Sequence, residues 1–415
     1  MMSYMLSLFI FFIISFNLYA SNILSWQDCL KETVQQNPEL KASMENVLSL
    51  GHKISSSRGA YLPKISSAVG YTKSETAAGI QADRYSASLT ASQNLFAGLQ
   101  DMAQIQQGEA NLRFGQASYR AIKAKISYDL KSAFEGLAYA QQFKKLTAEI
   151  IRRREDNIKL VTMRYGSGRE NKGSVLLSQA YLSQARYDDL QAQMILEVAK
   201  SQLARVLSRD EYSDIVVSGN APEGSVAGAE NFFLLAKATP DFEQIVATQD
   251  ASKAGLTLSQ SAFFPSLDVS GGLSRLDDKF FPNQESWSIG INLTIPLFDG
   301  LRDFHSTKSA SALYRQAVYN VANTDKVLVA KLKQAYANFR LAQEKFVVDT
   351  NFLKATSLRA EIARSKYNNG LLTFEDWDII EGDLIARQKN YLQSKRDKVI
   401  SAAQWEQAQG IGAIP

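Results

Sequence analysis

The residues of this chain that could carry covalent or metal chemistry are few, and their spacing argues against it. The two histidines, His52 and His305, lie in helical patterns without cysteine or clustered carboxylate partners, so no metal site is expected. Cys29 is the single cysteine, which excludes an intrachain disulfide framework. Trp26-Gln27-Asp28 before it are not the small residues that lead to a lipid-modified cysteine, so it reads as a partly buried structural residue. Gly168-Arg169-Glu170-Asn171-Lys172-Gly173-Ser174 carries the glycines of a phosphate loop. The position that requires lysine is Ser174, however, and a helix precedes the segment instead of a strand. Arg152-Arg153-Arg154 beside Glu155-Asp156 reads as a solvated helix face. With no nucleophile, base and acid in one pattern, neither an enzyme, a catalytic residue nor a cofactor is expected. Two carboxylates hold more interest: Asp376 and Asp378 lie within two turns of Gly370, where they either suit a helix N-terminus electrostatically or carry a functional role.

The elements that position these residues occur twice. Asn37-Pro38 returns as Thr239-Pro240, Tyr61-Leu62-Pro63 as Phe263-Phe264-Pro265, Leu95-Phe96-Ala97-Gly98 as Leu297-Phe298-Asp299-Gly300, and Arg164-Tyr165-Gly166-Ser167-Gly168 as Lys366-Tyr367-Asn368-Asn369-Gly370, always 202 residues later. A period this long marks a duplicated half of the chain and not a solenoid unit. The first repeat is expected over 21–208 and the second over 239–415, with a linker at 209–238 in which Ser218-Gly219-Asn220-Ala221-Pro222 reads as loop.

Within each copy, alternation of period two predicts a β-hairpin, over 63–96 and 265–298. In the second copy Trp287, Ile289, Ile291, Leu293, Ile295 and Leu297 share one face, and Ser288, Gly290, Asn292 and Thr294 the other. Tyr85, Ala87, Leu89 and Ala91 oppose Ser86, Ser88, Thr90 and Ser92 in the first copy. Strands of about 10 residues cross a bilayer when tilted. The aromatic and proline residues Tyr61, Pro63, Phe96, Phe263, Phe264, Pro265 and Phe298 stand where a membrane interface would be. A soluble sandwich also shows alternation, but small uncharged polar faces suit a water-filled lumen. Four strands cannot close a barrel, whose usual minimum is about 8, so if these strands span a membrane several chains must share one.

The rest reads as helix. Long helices are predicted over 99–164 and 301–366, each turning at a glycine into an antiparallel return helix, 174–207 and 374–408, in a coiled-coil-like hairpin. At about 1.5 Å per residue such helices are roughly 100 Å long. Gly108, Gly115 and Gly136 weaken the pattern of the first. Shorter helices from Pro38 and Pro240 lead into the hairpins.

The excess of 46 basic over 42 acidic residues is too small to suggest a nucleic-acid partner. Leu6 to Leu18 is an apolar run followed by Leu18-Tyr19-Ala20, which predicts a signal peptide over 1–20 and export. The absence of Lys or Arg before Lys31 leaves an uncleaved anchor as the alternative. No later apolar stretch is long enough for a helical span, so any crossing must be made by strands.

In the ordered set just quoted, the Pro-led helices, the aromatic-Pro entries, the Leu-Phe-x-Gly exits and the Arg/Lys-Tyr-x-x-Gly tips, the chain resembles the TolC-type outer-membrane efflux proteins over essentially all of its mature length. The resemblance implies a mainly α protein with a membrane β-barrel: a homotrimer whose twelve strands form one barrel in outer-membrane lipid, continued by an α-helical tunnel across the periplasm. It implies a passive exit duct for a tripartite efflux pump or type I secretion system, docked to a periplasmic adaptor and an inner-membrane pump or ABC exporter. The docking tips would be Tyr165, Gly168, Arg169, Glu170, Asn171, Gly370, Leu371 and Thr373, and the gate Asp376, Asp378 and Tyr367. No tip arginine stands at Leu371 or Leu372, so an ionic latch there is not expected, while Arg169 could pair with a neighbouring carboxylate. A rival reading is a periplasmic coiled-coil adaptor or spacer without a pore, which would lack the strands.

Overall fold

The computed structural model describes residues 23–75, 77–79, 81–210, 215–222 and 231–415. The apolar run at 6–18 and the cleavage expected after Ala20 lie outside them. In chain order the elements are β1 (Ile23–Leu24), α1 (Trp26–Gln36), α2 (Pro38–Arg58), a 3-10 turn at Gly59–Tyr61, β2 (Lys64–Glu75), β3 (Gln81–Ala97), α3 (Gln100–Gly166), α4 (Lys172–Leu207), β4 (Val216–Val217), α5 (Phe232–Lys237), α6 (Pro240–Ser261), β5 (Ser266–Asp277), β6 (Gln284–Thr294), α7 (Arg302–Asn368) and α8 (Phe374–Gln409). They divide between two compact units: one from the described residues of 1–35, 130–222 and 349–396, the other from those of 36–129, 223–348 and 397–415.

The second unit holds the sheet. Its four strands are antiparallel in the order β2-β3-β5-β6, so the hairpins of the two repeats join edge to edge through β3 and β5. Among the described residues β2 and β6 each have one unpaired edge. Side chains opposite one another share a face: Val69 pairs with Ala87, Leu89 with Leu273, and Leu273 with Trp287. That apolar face is uncovered, with Val69 85% and Ile289 77% exposed. The strands are unequal. β3 runs 17 residues with a bulge between Asn94 and Phe96, whereas β6 stops at Thr294, short of Leu297 and Phe298.

Sharp backbone turns take each copy from sheet to helix. Gly98-Leu99 and Gly300-Leu301 all have positive φ, from +59° to +74°. Leucine is strained in this conformation, and Gly98 cannot be replaced freely because a Cβ there would stand 2.6 Å from the Ser261 carbonyl oxygen. Pro38 and Pro240 occupy the first turns of α2 and α6, capped by Asn37 and Thr239, whose side-chain oxygens accept from the Leu40 and Phe242 amides at 3.1 and 3.3 Å.

Helix packing in this unit uses small residues every seventh position. Ala103, Ala110, Ala117 and Ala124 of α3 are buried, as are Pro240, Ala247, Ala254 and Ser261 of α6. Small side chains at a seven-residue period let helices approach closely along a common seam. Gly108 and Gly115 belong to this packing and do not interrupt α3. A Cβ on Gly115 would meet Leu50 of α2 at 2.4 Å, and one on Gly108 would meet Ile54 at 3.1 Å. α3 runs unbroken through all three glycines; Gly108 and Gly115 lie where α2 rests on α3, whereas nothing stands within 4 Å of a Cβ on Gly136. Leu328, Leu332, Ala335 and Phe339 of α7 form a larger core with Ala402 and Trp405 of α8 and Ala236 of α5.

In the first unit the segment expected to be a loop linker is tied down where it is described. β4 pairs in parallel with β1, and Gln141 of α3 bonds both the N–H and the carbonyl of Val217 at 3.0 Å. Arg209 grips Glu32 through two hydrogen bonds, of 2.6 and 2.7 Å. Cys29 is fully buried beside them, and burial pushes its thiol up to about 12.

Candidate functional site: the helix tips

Both long helices end in the same hydrogen-bond motif. The Gly168 and Arg169 amides donate to Tyr165 and Arg164 carbonyls, and the Gly370 and Leu371 amides donate to Tyr367 and Lys366, all at 2.9–3.0 Å. Gly168 and Gly370 adopt φ of +70° and +75°, which glycine reaches without a Cβ clash. The return helices then start on capping side chains. Asn171 accepts from the Ser174 amide at 2.9 Å, and Thr373 accepts from the Asp376 amide at 3.1 Å. The Thr373 hydroxyl also donates to the Asp376 carboxylate at 2.7 Å, so Asp376 closes its own helix turn. Tyr165, Arg169, Leu371 and Asp376 are exposed, and Arg169 makes no ion pair among the described residues.

Tyr367 behaves differently from its counterpart Tyr165. It is fully buried, stacked on Trp377 at 4.4 Å and packed edge-on against Phe374. The Arg164 guanidinium lies over the Tyr367 ring at 4.6 Å and donates to the Tyr367 carbonyl at 3.0 Å. The phenol donates to Glu170 at 3.1 Å, and the other Glu170 oxygen accepts from Ser174 at 3.0 Å. Burial, then the Glu170 acceptor, hold the phenol well above its usual range. Glu170 and Tyr367 thus link the two tips of one chain. Glu170 stands two residues past Gly168 and Ser174 six past it, whereas Asp376 stands six past Gly370.

A second polar layer lies farther along α8. Asp378 is not open to solvent: Arg154 of α3 donates to it at 2.9 Å, both side chains are close to nine-tenths buried, and Tyr181 of α4 donates to the same carboxylate. Arg154 also lies 4.6 Å over the Tyr181 ring. Glu381, 2% exposed, sits between Arg153 at 3.2 Å and Arg364 at 3.6 Å. Arg153 and Arg154 are therefore interior ion-pair partners and not the solvated face their charge run suggested; carboxylates more than 220 positions away draw them in. Arg152 was grouped with them only by adjacency.

The interface residues lie in the other unit. Tyr61, Pro63, Phe96, Phe263, Phe264 and Phe298 are exposed and Pro265 half-buried, at the ends of the strands next to the helices. At the opposite ends the sequence reading missed a second aromatic group: Tyr71 against Tyr85, Tyr85 against Phe280, and Phe280 against Phe281. The alternation had already placed Tyr85 and Trp287 on the apolar faces of their own strands. Strand pairing brings Tyr71 and Tyr85 to one level, while Trp287, level with Leu273 and Leu89, stands four residues nearer the helices.

Against known proteins, a family model described as outer membrane efflux protein matches residues 29–209 and 234–410. Protein CyaE of Bordetella pertussis is 24% identical over 379 residues, covering 89% of this chain and 78% of CyaE. Outer membrane protein TolC of Vibrio cholerae is 22% identical over 410 residues, covering 93% and 91%. A solved structure of CusC aligns with a TM-score of 0.84 at 16% identity, covering 93% of this chain and 92% of its own. The family match takes in both copies of the repeat, with their strand hairpins and helix tips, and the chain belongs to the outer membrane efflux protein family, whose members are outer-membrane channels and not enzymes.

Proposed function

We propose that this chain is one third of a passive exit duct. Three copies contribute four strands each to a twelve-stranded barrel in the outer membrane, and their helical hairpins form a tunnel in the periplasm. The observation that carries this reading is the four-stranded sheet with two unpaired edges and one uncovered apolar face. Left alone, such edges and such a face would drive aggregation; paired between copies and turned to lipid, both are satisfied. α3 and α7 have 67 residues each, a helical contour of roughly 100 Å at ~1.5 Å per residue.

The tips are the periplasmic mouth and the surface that meets a periplasmic adaptor, itself coupled to an inner-membrane pump or ABC exporter. Tyr165, Arg169 and Leu371 are the exposed docking groups, framed by Gly168, Asn171, Gly370 and Thr373. Tyr367 holds the mouth through Glu170, and opening separates the two tips when an adaptor binds the separated form more tightly. Asp376 contributes exposed negative charge at the mouth; Asp378, paired with Arg154, fixes the helices behind it. A pore-less adaptor or spacer has no use for a lipid-facing sheet.

Mass measurement in detergent and planar-bilayer recording test the reading together. Trimers that conduct are the expected result. A monomer, or trimers without conductance in wild type and in a Glu170→Gln variant with a loosened mouth, would overturn it.

A further inference from the structure

The polar face of the sheet is nearly free of charge. Among its described residues only Lys64, Arg84 and Asp268 are ionisable, because Asp83, Asp277 and Glu285 alternate onto the other face. Asp268 stands in a row across three strands, opposite Asn94 of β3 and Asn292 of β6. Asn94 donates to its carboxylate at 2.8 Å, while the Asn292 amide is turned to Thr294 at 3.1 Å. Both neighbours in the row are neutral amides, Ser270 lies next to it on its own strand, and Asp268 makes no ion pair among the described residues. From the registers, Lys64 is two strands and two residues away, roughly 12 Å by sheet spacings, and Arg84 is ten residues along β3, roughly 33 Å.

We infer that Asp268 sets the charge selectivity of the barrel, favouring cations at the end next to the helices. This rests on the trimeric duct proposed above, in which three Asp268 carboxylates face one lumen. Asn94 fixes the carboxylate without neutralising it, and Lys64, roughly 12 Å away on the same face, opposes it without an ion pair, so its field enters the pore at its own row. A unit charge at about 10 Å in water changes local ion concentration roughly two-fold, less once screened, and three act together. The Debye length is about 10 Å at 0.1 M salt and about 3 Å at 1 M, so the preference must be strong in dilute salt and fade in concentrated salt.

The test is the reversal potential of wild type, Asp268→Asn, Asp268→Lys and Asn292→Asp channels in planar bilayers under KCl gradients around 0.1 M and 1 M. Asp268→Asn should lower the potassium-to-chloride permeability ratio roughly two- to five-fold in dilute salt and little at 1 M. Asp268→Lys should move it further toward chloride, and Asn292→Asp, which adds a carboxylate to the same row, should raise it. Conducting channels whose ratio is unchanged by both Asp268→Asn and Asn292→Asp would overturn the inference and leave the duct standing. Absence of conductance from every form would overturn both.

Discussion

Buried polar side chains at the tips decide which single changes matter. Asp378→Ala leaves Arg154 uncompensated in a site close to nine-tenths buried, and losing one member of such a pair typically costs about 3–5 kcal/mol. Urea unfolding of the purified protein should show that loss, and Arg154→Met combined with Asp378→Leu should recover much of it. Asp376→Ala, by contrast, removes only an exposed capping interaction, about 1 kcal/mol. Tyr367 adds a pH dependence with a definite sign. Its raised pKa means that the folded chain keeps the phenolic proton where the unfolded chain has released it, so its contribution is full below about pH 10 and is lost as pH rises beyond that. Tyr367→Phe should therefore lower the free energy of urea unfolding at pH 8 by about 1.5–3 kcal/mol, the worth of a hydrogen bond to a charged group. The gap from wild type should narrow above pH 10; a constant gap from pH 8 to 11 would refute the assignment. Sequence reading found Tyr367, Asp376 and Asp378 through their distance from Gly370. Nothing in it linked Asp378 to Arg154 or Tyr367 to Glu170, because those partners lie 224 and 197 positions away.

At the scale of elements, close helix approach is the dominant constraint. Ala103, Ala110, Ala117 and Ala124 are buried at a strict seven-residue period, and Ala185, Ala192 and Ala199 repeat it in α4. Larger side chains at such positions have no cavity to enter. Ala110→Leu should lower the thermal midpoint through overpacking of about 1–3 kcal/mol, whereas Leu at the exposed, neighbouring Glu109 should be nearly neutral. The alanine period was legible in the sequence, but attention to large apolar residues passes over it. Gly108 and Gly115 show the same bias: by propensity they weaken a helix, yet a helix packed tightly on a neighbour is held by that contact. The repeat also extends beyond the quoted motifs. Ser208 of the first copy takes positive φ at the end of α4, where Gly410 stands in the second.

For the whole molecule, the surrounding solvent sets the energetics of the sheet. If the apolar face meets lipid, Ile289→Lys places a charge near the middle of β6 at a cost of about 2–4 kcal/mol, and the fraction of assembled trimer after extraction should fall. Ser288→Lys, one residue away on the polar face, should assemble normally. Equal assembly of the two variants would place the sheet in water on both sides. Alternation alone could not separate a membrane barrel from a soluble sandwich, since both bury one face of a strand. Among the described residues no layer covers that face and two strand edges stay unpaired, which is what supports the barrel reading.

By itself the sequence determined the duplication, the parity of each strand and the glycine turns at the tips, since each follows from local rules: side chains alternate along a strand, helices repeat every 3.6 residues, and only glycine enters positive φ freely. Tertiary structure alone decided that the two hairpins join in one sheet, that Arg153 and Arg154 turn inward, that Asp378 is neutralised and that Asp268 stands among amides. These depend on residues far apart in the chain being brought to hydrogen-bond distance, and there the cost of an unpaired buried charge selects the partner.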